Sequence, residues 1–193
     1  MTIEYAPTFG QPEKDIRNWF IQLTGLASGK VIWMNQMAKR PQRPYLALNI
    51  ITKPTPLGLP ESDITEESGQ GKETIFENQE MTVSAQYYSD THALATTAFS
   101  YMEKIKQASY LDSSVSYLRQ TTSKLALVDR SPITNIDEQL GNRWEKRAAM
   151  DFIFRYRTSA KDDIDLIEEV KFKGAIRKPD ASEIEVKEIT VTK

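Results

Sequence analysis

The segment from Arg147 to Arg157 alternates between apolar side chains and other side chains, which is the two-residue period of a β-strand. The apolar positions, which share one face of such a strand, are Ala148, Met150, Phe152, Phe154 and Tyr156. The opposite face carries Asp151, Arg155 and Arg157. A sheet with one apolar face needs helices to cover that face, and its polar face stays open to water or to a partner. This geometry favours a protein that works through contact surfaces over an enzyme with a pocket.

Apolar residues spaced three and four apart predict helices in three places. The first helix follows Pro12 and includes Ala27, with Gly25 weakening it and Gly29 ending it. The second starts near Thr91, capped by the preceding aspartate. The third has Asp112 as its cap and Leu111 on its inner side. These helices provide the layer that the apolar sheet face requires.

Period-two patterns and turn residues predict the strands. The predicted strands cover residues 31–34, 45–52, 73–89 with a hairpin turn at 77–79, 125–128, 147–157, 166–172 and 182–192. Residues 161–165 are predicted to form a polar turn. The predicted fold class is α+β: a mixed, mostly antiparallel sheet with helices packed on one face, long loops and an extended C-terminal arm.

Residues 1–172 are predicted to form one domain, and residues 173–193 a C-terminal extension. Within the domain, residues 53–72 are rich in proline, glycine and acidic side chains and are predicted to be a long flexible loop. Three states are open for the end of the extension. It completes a sheet of its own chain, it pairs with the sheet edge of a neighbouring subunit, or it is disordered.

Composition excludes several functional classes. The chain has 193 residues, a net charge of −2 and no cysteine, so disulfides and thiolate chemistry are excluded. The slightly acidic balance argues against a protein that grips nucleic acid, because that grip comes from basic side chains. No apolar run approaches the roughly 20 residues that span a bilayer, and the N-terminus lacks the layout of a signal peptide. The product is expected to stay in the cytoplasm where it is made.

The sequence offers few residues for catalysis. The single histidine, His92, is expected to be a partly exposed helical residue, and no nucleophile elbow, phosphate-binding loop or dinucleotide motif is present. The acidic run at residues 162–169 lacks the spacing of a calcium loop, which favours a solvated charge run. Asp180 and Glu185 resemble part of a metal-dependent nuclease signature, but they lie too close together in sequence. We therefore predict no catalytic, cofactor or metal site.

Two tryptophans lie near basic side chains in the sequence, and this placement has two interpretations. Trp33 and Trp144 either pack under arginine stems or anchor a subunit interface, where tryptophan and arginine are enriched. The predicted interface residues are Trp33, Arg40, Arg43, Trp144, Arg147, Arg155 and Arg157.

Several short segments, taken in order, resemble the neck or tail terminator proteins of tailed bacteriophages. The resemblance covers roughly residues 12–170, and residues from Ser182 onward look like an extension outside it. The segments that carry it are Ile16–Trp19, Val31–Gln36, Arg40–Pro41, Pro44–Tyr45, Thr82–Gln86, Arg143–Glu145 and Arg147–Asp151.

The resemblance implies a sheet with helices on one side and a role in virion assembly. Such terminators form a ring, usually a hexamer, on the last disc of the tail tube, where the ring stops tube polymerisation and offers a surface to the head connector. The implied partners are other copies of the chain, the tail tube protein, a sheath where the tail is contractile, and the connector. Double-stranded DNA would pass through without sequence-specific binding, and no membrane is involved.

Alternatives remain open at this stage. Another head–tail connector or head-completion adaptor would share the same sequence features, and a metal-dependent nuclease is the enzymatic alternative. The stoichiometry, the type of tail, and whether the particle is a complete phage or a tail-like particle are also open.

Two hypotheses concern the segment 53–72. The acidic residues Glu61, Asp63, Glu66 and Glu67, or alternatively the later acidic run at residues 162–169, would line the central channel, so that DNA slides without sticking. The proline-rich part, residues 53–70, would grip the tail tube or the connector and become ordered on contact.

Overall fold

Helices pack on one face of a mostly antiparallel, eight-stranded sheet. This arrangement comes from a computed structural model, which describes residues 3–8, 10–37, 39–67, 70–89, 97–164, 169–172, 175–177, 183–185 and 189–192. The predicted α+β class is confirmed. We call the side of the sheet under the helices the helix face and the other side the open face.

The first helix, α1 (Gln11–Thr24), has Pro12 in its first turn and ends before Gly25, earlier than the predicted end at Gly29. Gly25 follows it with φ of 64°, the left-handed conformation that glycine adopts without strain, and its N–H donates to the carbonyl of Ile21. A short 3-10 turn, Ser28–Lys30, then leads into the sheet.

The second and third helices begin at different residues from those predicted. Helix α2 (Ala98–Ala108) is capped by Thr97, whose side chain accepts from the N–H of Ser100, while the predicted start near Thr91 lies outside the described residues. Helix α3 is Asp112–Gln120, so Asp112 is its first residue and not its cap. The predicted inward position of Leu111 is also wrong, because its side chain is exposed.

The strands are β1 (Glu4–Ala6), β2 (Val31–Trp33), β3 (Tyr45–Pro56), β4 (Glu61–Glu67), β5 (Gln70–Tyr88), β6 (Ala126–Arg130), β7 (Thr134–Asn135), β8 (Glu138–Leu140), β9 (Arg143–Glu145), β10 (Arg147–Ile164), β11 (Glu169–Phe172), β12 (Ala175–Arg177), β13 (Glu183–Glu185) and β14 (Ile189–Thr192). The main sheet has the strand order β1-β10-β5-β3-β2, with β4 pairing β5, and β6 and β7 pairing β10. Its one parallel pair in the described chain is β2 with β3.

Three predictions about turns and loops are wrong for one shared reason. The strands extend beyond the residues whose apolar alternation predicted them. Strand β5 runs without a break through residues 77–79, where a hairpin turn was predicted. Strand β10 continues to Ile164, through most of the predicted polar turn at 161–165. The predicted loop at 53–72 consists mostly of the end of β3, all of β4 and the start of β5.

The prolines that suggested a loop lie on a sheet edge. Strand β2 pairs only with residues 46–48 of β3, so the later residues of β3, including Pro54 and Pro56, have β5 as their partner on one side alone among the described strands. An edge strand tolerates proline because the missing N–H faces away from the paired strand. The pairing with β5 shifts register after Ile50 and again after Thr52, so bulges accompany these prolines.

Part of the sheet extends beyond the helix layer. We call β4, residues 70–78 of β5 and residues 157–164 of β10 the β-projection. Strand β5 has 19 residues, which corresponds to roughly 60 Å at about 3.3 Å per residue, and its part of the β-projection accounts for roughly 30 Å. In the sheet, the β-projection is paired from β4 through β5 to β10, and β1 adds a short strand beside β10.

The core lies between α1, α2, α3 and the helix face. The five predicted inward residues of β10 are all buried, as are Met81, Val83, Ala85 and Tyr87 of β5. Trp19 of α1 is fully buried, makes edge-on contacts with Phe20, Phe152 and Phe154, and donates its indole N–H to Oγ of Ser114 at 2.9 Å.

Residues near the C-terminus pair with their own chain. Strand β14 pairs with β11, and β13 pairs with β12, in two small two-stranded sheets separate from the main sheet. Strands β11 and β14 lie on opposite sides of the boundary predicted after residue 172, and the domain division itself stays a prediction.

Candidate interaction surfaces

A buried glutamate joins two predicted interface arginines on the open face. Glu145 is 3% exposed, forms an ion pair with Arg43, and has its Oε2 3.7 Å from Nε of Arg147. Arg147 also pairs with Glu138. Burial alone would lower the pKa of Arg147, but Tyr88 and the two carboxylates outweigh burial and raise that pKa. Arg43 and Arg147 are therefore held in contacts within the chain.

Two tyrosines form the floor beneath this ion-pair cluster. The rings of Tyr45 and Tyr88 stack with centroids 4.4 Å apart, and the Arg147 guanidinium lies 5.5 Å from the Tyr88 centroid. Burial is the main cause that raises the pKa of Tyr45. Above the floor, Gly141 with φ of 60° makes the tight turn between β8 and β9. The β8–β9 hairpin is thus held near this end of the open face through Glu145.

The two predicted tryptophans occupy different environments. Trp33 is half-buried and packs against the main core, and its predicted role at an interface stays a prediction. Trp144 is 53% exposed, and Nζ of Lys146 lies 5.5 Å from its ring centroid. Arg40 is exposed and makes no hydrogen bond or ion pair with the residues that the structure describes. Trp144 and Arg40 are accessible for contacts with a partner.

Arg155 and Arg157 lie on the open face of β10, as the alternation predicts. Nε of Arg155 is 2.7 Å from Oε2 of Glu80, and a guanidinium nitrogen of Arg157 is 2.8 Å from Oε2 of Glu61. Arg157 also lies 4.0 Å from the centroid of the Phe76 ring. Because these pairs are about half exposed, each contributes about 1 kcal/mol or less.

The four predicted channel acids do not share one face of the β-projection. All four lie on β4, where successive side chains point to opposite sides. Glu61 and Asp63 share the side of Phe76, which is the open face, whereas Glu66 is on the side of Ser62 and Ile64. Glu66 has a partner of its own, and the side chain of Glu67 lies outside the described part of the chain.

A cleft of about 480 Å³ lies on the helix face where the β-projection begins. It is bounded by the start of α1, by β1 and by the central strands. Its lining includes Tyr5, Pro12, Glu13, Ile75, Gln79 and Tyr156. Burial raises the pKa of Tyr156, and the nearby Glu13 carboxylate raises it further. No predicted site residue lines this cleft, because its walls come from segments far apart in sequence.

The candidates considered for catalysis or metal binding remain apart or undescribed. His92 and Asp180 lie outside the described residues, and Glu185 lies on β13. Within the described ranges, no group of three or more histidine or acidic side chains is placed to hold a metal ion. The helices described here include none that is long and apolar enough to cross a membrane.

A helix-backed sheet with an open face and a projecting set of strands defines a class: an α+β protein that offers extended surfaces for contact. The chain belongs to the phage neck terminator protein family, whose model matches residues 13–177. A comparison with curated proteins found no match. The family is one of structural proteins, so this chain is a structural protein of the phage neck that associates with other head or tail proteins of the virion.

Proposed function

We propose that copies of this chain form a closed ring, with six as the expected number, that caps the tail tube, ends tail polymerisation and joins the tail to the head connector. Family membership supports the location at the neck. The observation that best supports ring formation is the β-projection, because it gives each copy a long surface that its own core does not cover.

The β-projection exposes apolar side chains on the helix face. Register places Tyr5 opposite Ala160 and Ala160 opposite Ile75, so these residues share one side of the sheet. Tyr5 is 52% exposed and Ile75 is 44% exposed, and Ile64 on the same side is more exposed than either. Grouped apolar side chains on an extension indicate a surface that is covered in an assembly.

Ring closure requires a heterologous contact, in which one surface of each copy meets a different surface of the next. A stable interface of this kind buries on the order of 800 Å² per partner. Sheet strands that extend past the core supply such area without adding core residues. Trp144 and Arg40, both exposed, are the predicted interface residues best placed to contribute.

In the assembled ring, the acidic side chains on one side of β4 would face the DNA channel and keep it free of phosphate-binding contacts. Glu61 is already neutralised in part by Arg157, so Asp63 is the clearer candidate on the open face. Charge reversal of Asp63 tests the open face, and charge reversal of Glu66 tests the other side of β4. Normal DNA delivery by particles that carry both reversals would contradict this part of the proposal.

The ring is tested by shortening the β-projection. Ser62 and Ile75 are register partners, so residues 63–74 can be replaced by an Asn-Gly turn, which closes a two-residue hairpin. All buried apolar positions of β5 lie at residue 81 or later, so the variant should fold. We expect folded subunits that form no ring and leave tails uncapped.

The matched control is Ser68→Asn, which creates the same Asn-Gly sequence between β4 and β5 without shortening either strand. Electron microscopy of each protein, alone and mixed with tail tubes, gives the readout. Rings of normal size from the shortened variant would refute the role of the β-projection. An absence of rings from the wild-type chain, alone and on tubes, would refute the proposed function.

A further inference from the structure

Two hydrogen-bond acceptors beside the cleft at the base of the β-projection lack a partner. They are Oε2 of Glu13 and Oε1 of Gln79, both fully buried atoms. Gln79 as a residue is only 8% exposed. Buried polar groups in native proteins are nearly always hydrogen-bonded, so two unpaired acceptors in one cleft call for a donor.

The chemistry of the cleft selects a cationic donor. A carboxylate only accepts, and Nε2 of Gln79 already donates to Glu77, which adds a second acidic side chain to the lining. The described lining residues include no lysine or arginine. The remaining walls are largely proline, tyrosine and isoleucine, which suit the methylene stem of a long basic side chain.

The two oxygens can reach an occupant by small rotations. The last side-chain torsion of glutamate and of glutamine is broad, so each terminal group can tilt toward the cleft without a large barrier while Nε2 of Gln79 keeps its bond to Glu77. A turn toward the cleft replaces a buried, unpaired position with a hydrogen bond. Burial of the occupant would strengthen that bond by excluding water.

We propose that the cleft receives a lysine or arginine side chain from a neighbouring copy of this chain, with Glu13 and Gln79 as its acceptors. The inference rests on the proposed ring, in which each copy presents one such cleft to its neighbour. The chain offers suitable donors away from the cleft: Arg40 is exposed, makes no hydrogen bond or ion pair with the described residues, and lies close enough to Tyr45 of the open face to affect its pKa. In a head-to-tail contact, one surface of each copy meets a different surface of the next copy, so the cleft of one copy can receive a cation from another surface of its neighbour.

The first test is Glu13→Gln, which removes the charge and keeps the shape. Glu103→Gln on α2 is the matched control, since Glu103 is also a helical glutamate and lies outside the cleft. Sedimentation velocity over a concentration series measures ring assembly, and thermal unfolding monitors the fold. Loss of a charge-assisted hydrogen bond should weaken assembly by about ten- to a hundredfold, and the control should assemble as the wild type does.

The second test is Gln79→Met, which removes the unpaired oxygen with little change in volume. If Gln79 serves assembly, this variant forms rings less well while its unfolding temperature stays the same or rises. Wild-type assembly by both Glu13→Gln and Gln79→Met would overturn the inference.

The outcomes separate this inference from the proposed function. A wild-type chain that never forms rings refutes the ring proposal. If the wild-type chain forms rings and both variants assemble at the same concentrations as it does, only the role of the cleft is refuted. Rings of normal strength that no longer bind tail tubes would assign the cleft to a tail protein, which also overturns the neighbouring-copy occupant.

Discussion

The two halves of strand β10 differ in what covers them. From Ala148 to Tyr156 every second side chain is buried beneath the helices, whereas from Arg157 to Ile164 the strand has no buried side chain. Both halves keep the same antiparallel register with β5. Backbone pairing thus continues where hydrophobic burial stops, and the second half is left with surface for a partner. Stability should therefore depend on the covered half and assembly on the β-projection.

Trp19→Ala should give the largest effect, because it removes a fully buried aromatic side chain and its hydrogen bond to Ser114. We expect a loss of about 3–5 kcal/mol in the free energy of unfolding. Trp144→Ala is the matched control, because that side chain is half exposed, and it should cost less than about 1 kcal/mol. Urea unfolding measures both. Equal losses would mean that the covered half does not dominate stability.

Glu145→Gln should destabilise next most, since it leaves Arg43 and Arg147 without their buried carboxylate. Because Arg43 is one-third exposed, the loss should be about 2–3 kcal/mol, below that of a fully buried pair. Glu138→Gln removes an exposed partner of the same arginine and should cost less than about 1 kcal/mol. A larger loss in Glu138→Gln than in Glu145→Gln would contradict this assignment.

The covered half should also lose stability in alkali. Burial, with a smaller contribution from Tyr101, raises the pKa of Tyr87 to about 12. A raised folded pKa stabilises the fold below the ordinary tyrosine value of about 10, and this stability is lost as pH rises toward 12. Wild type should lose about 2 kcal/mol more than Tyr87→Phe between pH 9 and pH 12. Parallel pH profiles for the two proteins would rule out this linkage.

The β-projection should show the smallest effect on stability. Glu61→Gln breaks the ion pair with Arg157, which is about half exposed, and should cost less than about 1 kcal/mol, with the cost falling further in high salt. A double-mutant cycle with Arg157→Gln isolates the pair. A coupling above about 2 kcal/mol would show that the β-projection is as tightly organised as the core.

The same division explains what the sequence could predict. In the covered half, burial forces apolar side chains into a period of two, so Met150, Phe152 and Phe154 were placed on the correct face. In the β-projection the strands are held by backbone hydrogen bonds, which leave no such pattern. The pattern of residues 161–165 therefore predicted a turn, and on the neighbouring edge strand β3 Pro54 and Pro56 predicted a loop.

The candidate sites follow a similar rule. Exposed charges such as Arg155 and Arg157 were placed on the correct face because alternation fixes direction. Their pairing with Glu80 and Glu61 depends on strand register across the chain, which local spacing does not encode. The cleft was missed altogether, because Glu13, Gln79 and Tyr156 meet only through the sheet topology. Leu111 shows the limit within a helix, where an apolar residue at the cap need not face inward.

The unbroken register between β5 and β10 has a mechanical consequence. From Gly71 opposite Ile164 to Tyr88 opposite Arg147 the ladder shows no shift, so the same two strands form the tip of the β-projection and the centre of the core. Because the same two strands run through both parts without a bulge, a load on the tip of the β-projection would act directly on the strands that hold Val83 and Phe152 in the core.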